Sequence, residues 1–194
     1  MRRIAFLSYY FPPIGGAGAQ RPARFVRYLR GLGYDPVVVT GPGSAEGRWT
    51  PYDEALFAEL PEDVEVHRVP GPEPGESTGW ESRKERWLRA ASPWSRWWID
   101  GAVATGAALE NIDLVYAWMS PFESAAAAAS LAQRLGVPWV GDLGDPWALD
   151  EMIVYPTRVH RSRELAKMRR ELASADAVVM STPEAVRRVR SAIP

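Results

Sequence analysis

The sequence predicts an α/β domain built on a doubly wound, parallel sheet of the Rossmann-like kind. Three observations carry this prediction. Short apolar runs alternate with stretches of helical spacing along most of the chain. Several of those runs are apolar at every position, as strands covered on both faces are. The loop after the first run is rich in proline and glycine, as at the edge where such sheets bind ligands.

Arg3 to Ser8 reads as a buried strand, and Tyr9 to Ala19 as the loop after it. Gln20 to Leu32 has helical spacing through Ala23, Val26 and Leu29, with Gly31 and Gly33 as the stop. Asp35 to Thr40 is a second strand, which completes a βαβ unit of right-handed crossover. Gly41 to Pro61 is looser, with a short helical piece near Tyr52 to Glu59. Val64 to Val69 alternates and reads as a third strand. After the loop Pro70 to Gly79 come two helices, Trp80 to Ala91 and Pro93 to Leu109, the second opened by the cap pair Ser92-Pro93.

Ile112 to Ala117 is a fourth strand, and Pro121 to Leu135 an Ala-rich helix closed by Gly136. Val137 to Val140 is a fifth strand, followed by the loop Gly141 to Trp147. A helix from Thr157 to Ser174 leads to a sixth strand, Asp176 to Met180. Ser181 or Thr182 caps a last helix running from Pro183 to about Arg190.

Composition excludes several classes. The chain has 194 residues, which suits one domain, and a formal net charge of −1, which does not suit wrapping nucleic acid. It has no cysteine, so disulfides and thiolate chemistry are excluded. Neither His67 nor His160 has a partner at metal-ligand spacing, and no metal or cofactor is expected. There is no G-x-S-x-G elbow, and no lysine-ending phosphate loop. The third glycine of the dinucleotide fingerprint is missing, and Thr40-Gly41 stands where a ribose-binding acid is needed. No run reaches the roughly 18 apolar residues that span a bilayer. The short apolar run near Met1 does not make a signal peptide. The expected location is cytoplasmic, with association at a membrane surface left open.

The candidate site residues lie in loops at the carboxyl ends of the strands. Gly15, Gly16, Ala17 and Gly18 let the backbone come close to a phosphate at the following helix's N-terminus, with Arg21 and Arg24 as charged donors. Trp118 offers an aromatic platform and Ser120 a hydroxyl. Asp142 and Asp145 are carboxylates that can orient a hydroxyl; either can act as a base, and Asp145 is the catalytic candidate. Asp145 also fits as a cap of the next turn. Tyr10, Arg21, Trp118 and Asp142 make up the candidate acceptor-binding set. Trp80, Trp87, Trp94 and Trp98 fall near one helical face, with Arg83, Lys84, Arg86, Arg89 and Arg96 among them. Such a face suits a membrane interface, or packs on the sheet or on a second domain.

Taken together, Ile4 to Thr40, with Tyr9-Tyr10-Phe11-Pro12-Pro13, Gly15-Gly16, an Arg-rich helix and Gly33-Tyr34-Asp35-Pro36-Val37-Val38-Val39-Thr40, resembles the start of family 4 glycosyltransferases. Asp145-Pro146-Trp147 and Glu171 to Thr182 also resemble segments of that family. The resemblance implies a GT-B architecture, in which two Rossmann-like domains face a cleft. It implies that residues 1–194 are the N-terminal, acceptor-side domain, that the donor-binding C-terminal domain is not in this chain, and that the chain alone is inactive. It implies transfer from a nucleotide-sugar donor to a sugar, lipid-linked or small-molecule acceptor, with retention and no metal. Gly15 and Gly16 match the loop near the donor diphosphate. Asp145 matches a position where other members often carry histidine. A non-catalytic ligand-binding module is the alternative reading.

Overall fold

The computed structural model describes residues 1–43, 51–75, 78–88 and 91–193. Its six strands are β1 (Arg2–Leu7), β2 (Tyr34–Thr40), β3 (Val66–Arg68), β4 (Leu114–Trp118), β5 (Trp139–Leu143) and β6 (Ala177–Met180). They form one sheet in the order β3-β2-β1-β4-β5-β6, and every pairing is parallel. The helices are α1 (Ala17–Leu29), α2 (Glu54–Ala58), α3 (Gly79–Leu88), α4 (Pro93–Ala107), α5 (Ser124–Leu135), α6 (Arg158–Leu172) and α7 (Pro183–Ala192). The chain therefore adopts the doubly wound, Rossmann-like α/β fold that its alternation predicts.

Strand parity sorts the core into two layers. Ala5, Leu7, Val37, Val39, Val115 and Ala117 pack with Trp98 and Ala102 of α4 and Ala128 and Leu131 of α5. Ile4, Phe6, Val38 and Tyr116 point the other way and pack with Val26 of α1. Each fully buried aliphatic or aromatic side chain contributes about 1.5–3 kcal/mol to this packing. Sequence gives both faces apolar residues because both faces are covered.

Local signals set most boundaries. Ser92 caps α4, and its hydroxyl accepts from the Ser95 amide at 2.9 Å. Thr157 caps α6 and Thr182 caps α7 in the same way, so the cap of the last helix is Thr182 rather than Ser181. Gly136 closes α5 in the left-handed region, φ 68°.

Several boundaries depart from the sequence reading, among them the start of α5, which is Ser124 rather than Pro121. Helix α1 begins at Ala17 rather than Gln20, with Gly16 turning the chain at φ 84°. Pro22 therefore lies inside the helix, buried. Strand β5 runs through Leu143 instead of ending at Val140. Gly141 reads as a turn signal, but it is a packing requirement: a Cβ there would meet Met119 Sδ at 3.0 Å and Trp139 Cζ3 at 3.2 Å.

The Trp-rich face also divides. Trp94 and Trp98 of α4 are buried, at 5% and 0% exposure, and pack edge-on to Tyr9. Trp80 and Trp87 of α3 are exposed. The proline at Pro93 starts a new helix with a new direction, so the four tryptophans share no face. Positions 44–50 and 76–77, Arg89, Ala90 and the Arg86 side chain, on which parts of the sequence reading fall, lie outside the described residues. No described helix is long and apolar enough to cross a membrane.

Candidate active site at the carboxyl edge of the sheet

The loops after β1, β4 and β5 converge on one cavity. It has a volume of about 340 Å³ and is lined by Ala17 and Gly18 of α1, Trp118 to Phe122 after β4, and Gly144 and Asp145 after β5. A larger hollow, about 700 Å³, lies around Gly136 to Trp139 at the amino edge, away from the ligand-binding ends of the strands.

The glycine loop has two parts. Gly15 is buried, its amide donates to Pro51 O at 2.7 Å, and a Cβ there would fall 2.7 Å from Asp53 Cβ. Gly15 thus lets the chain's own 51–53 segment approach. Gly16 is the N-cap of α1 and carries no side chain to cap it. Ala17 is exposed and Gly18 half-exposed at the cavity wall. The first turn of α1 therefore presents a helix N-terminus, the positive end of its dipole, to the cavity.

Tyr10 is half-buried and braces that turn, since a Cβ on Gly18 would touch its ring at 3.0 Å. Pro12 O accepts from Arg68 Nη2 at 2.8 Å, and Arg68 Nη1 reaches Gly41 O at 3.2 Å. Burial pushes the Arg68 guanidinium below its ordinary value. Nothing in the sequence pattern marks Arg68, because its partners are main-chain carbonyls distant in sequence.

Asp142 does not reach the cavity. It is 1% exposed, and both its oxygens are occupied. Arg21 Nε and Nη2 donate to Oδ2 and Oδ1, each at 2.8 Å, and the Tyr116 hydroxyl donates to Oδ2 at 2.6 Å. Hydrogen bonding to Asp142 raises the Arg21 pKa, and burial, then the neighbouring Asp142 charge, raises that of Tyr116. Asp142 is a positioning residue that fixes Arg21, which corrects the expected acceptor contact. The Arg21 guanidinium lies 5.4 Å above the Trp118 ring. Trp118 itself is buried, with a cavity-lining edge, and its Nε1 has no partner among the described residues.

Asp145 lies differently. It is exposed, it lines the cavity, and no hydrogen bond ties it to a described residue. It does not cap the following turn, which has no side-chain cap. Trp147 after it and Gly144 before it hold the loop in place. Trp147 adopts φ 48°, a region that costs a non-glycine residue about 1 kcal/mol or more. Its buried indole stacks on Phe122 at 4.8 Å and donates to Glu164 Oε1 at 2.9 Å, which offsets that strain. Ser181 Oγ donates to Gly144 O at 2.7 Å and pins the other side of the loop.

The family model described as "Glycosyl transferase 4-like domain" matches residues 15–193. The chain belongs to the glycosyl transferase 4-like family. A comparison with curated proteins returns no match. The match takes in the α1 turn and the Trp118 and Asp145 loops together, so the cavity lies within the glycosyl transferase 4-like domain. In this glycosyl transferase 4-like domain the cavity brings together the open turn of α1, Ser120 and the Asp145 carboxylate, which has no hydrogen-bond partner among the described residues. Among the described residues no cluster of three or more His, Asp or Glu could hold a metal ion.

Proposed function

We propose that this domain is the acceptor half of a glycosyltransferase that moves a sugar from a nucleotide-sugar donor to an acceptor hydroxyl, with retention. One observation carries the reading: an uncapped helix N-terminus and an unpaired carboxylate line the same cavity at the ligand-binding edge of a parallel sheet. Main-chain amides of Ala17 and Gly18 suit the donor's phosphate oxygens, and the Arg21–Asp142 pair holds their helix in place. Asp145 suits the acceptor, as an acceptor of its hydroxyl hydrogen bond or as the base that takes its proton. The edges of Trp118 and Phe122 suit the apolar face of a sugar ring. In this reading the nucleotide is held by a second Rossmann-like domain of the same protein across a cleft, and the sugar is carried as a substrate with no further cofactor.

The test is transfer from a panel of nucleotide sugars by the gene product carrying both domains, with and without Ala17→Glu. A glutamate at the first helical position favours the helix dipole but opposes an anionic donor. The expected result is an unchanged or higher melting temperature with KM for donor raised about tenfold or more. Undiminished transfer with the same KM would remove the α1 turn from the site.

A further inference from the structure

Helix α3 and the segment after β5 are far apart in sequence but touch in the fold. The Trp87 ring lies 5.6 Å from that of His160, and Arg163 Nη1 donates to the Trp87 carbonyl at 3.3 Å. The two segments that meet there each carry exposed apolar side chains. Trp80 and Trp87 are 67% and 58% exposed, and Met152, Val154 and Val159 are 86%, 91% and 57% exposed. One such residue is ordinary on a protein surface; five in two touching segments form a patch that needs a partner.

Charge around the patch has one dominant sign. Arg83, Arg158, Arg161 and Arg163 are exposed. The Lys84 ammonium lies 6.0 Å above the Trp80 ring. Of the acids on these segments, half-buried Glu85 of α3 faces a separate hollow lined by Lys167 and Arg170. Asp150 Oδ1 accepts from the Met152 amide at 2.8 Å, Glu151 pairs with Arg188 at 2.7 Å, and buried Glu164 accepts from Trp147.

We propose that this face docks on an anionic lipid bilayer. Indole rings fit the headgroup layer, the Met152 and Val154 tips fit the acyl boundary below it, and guanidinium groups fit the lipid phosphates. A second copy of this chain suits the face poorly, because a two-fold contact would set these arginines against each other. The proposal does not depend on sugar transfer. It differs from a membrane helix spanning Trp80 to Trp98, since Trp94 and Trp98 are in the core.

The test is co-sedimentation of the chain with vesicles of phosphatidylcholine alone, or mixed equally with phosphatidylglycerol. The unaltered chain is expected to pellet with the anionic vesicles only. The pairs Met152→Ser with Val154→Ser, and Arg158→Glu with Arg161→Glu, are each expected to weaken that partition by about tenfold or more. All four positions are exposed, so melting temperatures should be unchanged. A chain that stays in solution with anionic vesicles overturns the proposal, as does either pair binding like the unaltered chain. A concentration-dependent dimer that Met152→Ser with Val154→Ser dissolves also overturns it, because the face would then join two copies.

Discussion

Arg21 in the second turn of α1 grips Asp142 in β5 with two parallel hydrogen bonds, each 2.8 Å long. Parity explains how they meet. Tyr116, Trp118 and Asp142 occupy even positions of neighbouring strands and point to the face covered by α1. The pair locks the helix whose first turn lines the cavity to the strand that leads to Asp145. A bidentate arginine–carboxylate pair fixes orientation as well as distance.

Removing one side of that lock should be costly. Asp142→Ala leaves a partly buried guanidinium and the Tyr116 hydroxyl without their acceptor. We expect a loss of about 2–4 kcal/mol, read from the urea midpoint. A loss below 0.5 kcal/mol would mean that the lock does not hold α1.

Asp145 predicts the opposite pattern. Its side chain is exposed and packs on nothing, so Asp145→Asn should change stability by less than about 0.5 kcal/mol. Transfer by the two-domain protein should fall about 10²-fold or more if the carboxylate handles the acceptor proton. Equal rates with aspartate and asparagine at this position would remove the Asp145 carboxylate from the chemistry.

Trp147→Ala should lower stability by about 3–5 kcal/mol, because the indole is fully buried and both stacked and hydrogen-bonded. The same variant frees the Asp145 loop. Calorimetry reads the first effect, and the exchange rates of the amides of residues 144–149 read the second.

Glu171 makes stability depend on pH. Burial raises its pKa above the ordinary carboxylate range, partly countered by Lys167 and Arg170, while Glu123 and Glu164 add to the rise. Its Oε2 is buried with no hydrogen-bond partner among the described residues. A raised acid favours folding fully below its unfolded pKa, and that contribution is lost as pH rises through the folded pKa. Glu171→Gln should therefore melt higher than the unaltered chain at neutral pH. The gap should close as pH falls into the ordinary carboxylate range, where the folded state holds Glu171 protonated. A gap independent of pH would assign the effect to packing.

Much of the architecture could be read in the chain, and the reasons are local. Val37 to Val39 and Ala5 to Leu7 declare buried parallel strands by being apolar at every position. Ser92, Thr157 and Thr182 declare helix starts through their own hydroxyls. Gly141 misled for a physical reason: it serves Met119 and Trp139, neighbours that the sequence does not announce.

The sequence by itself determined the alternation of strands and helices and the carboxyl-edge loops. Those depend on periodicity, capping and spacing, which are properties of nearby residues. The tertiary structure decided which polar groups are available. Asp142 and Asp145 are only three positions apart, yet one is shut in a pair with Arg21 and the other is open at the cavity. Likewise Trp87 lies exposed against His160 of α6, while Trp98 lies in the core. Burial and partnership depend on what distant segments bring alongside, and no local pattern encodes that.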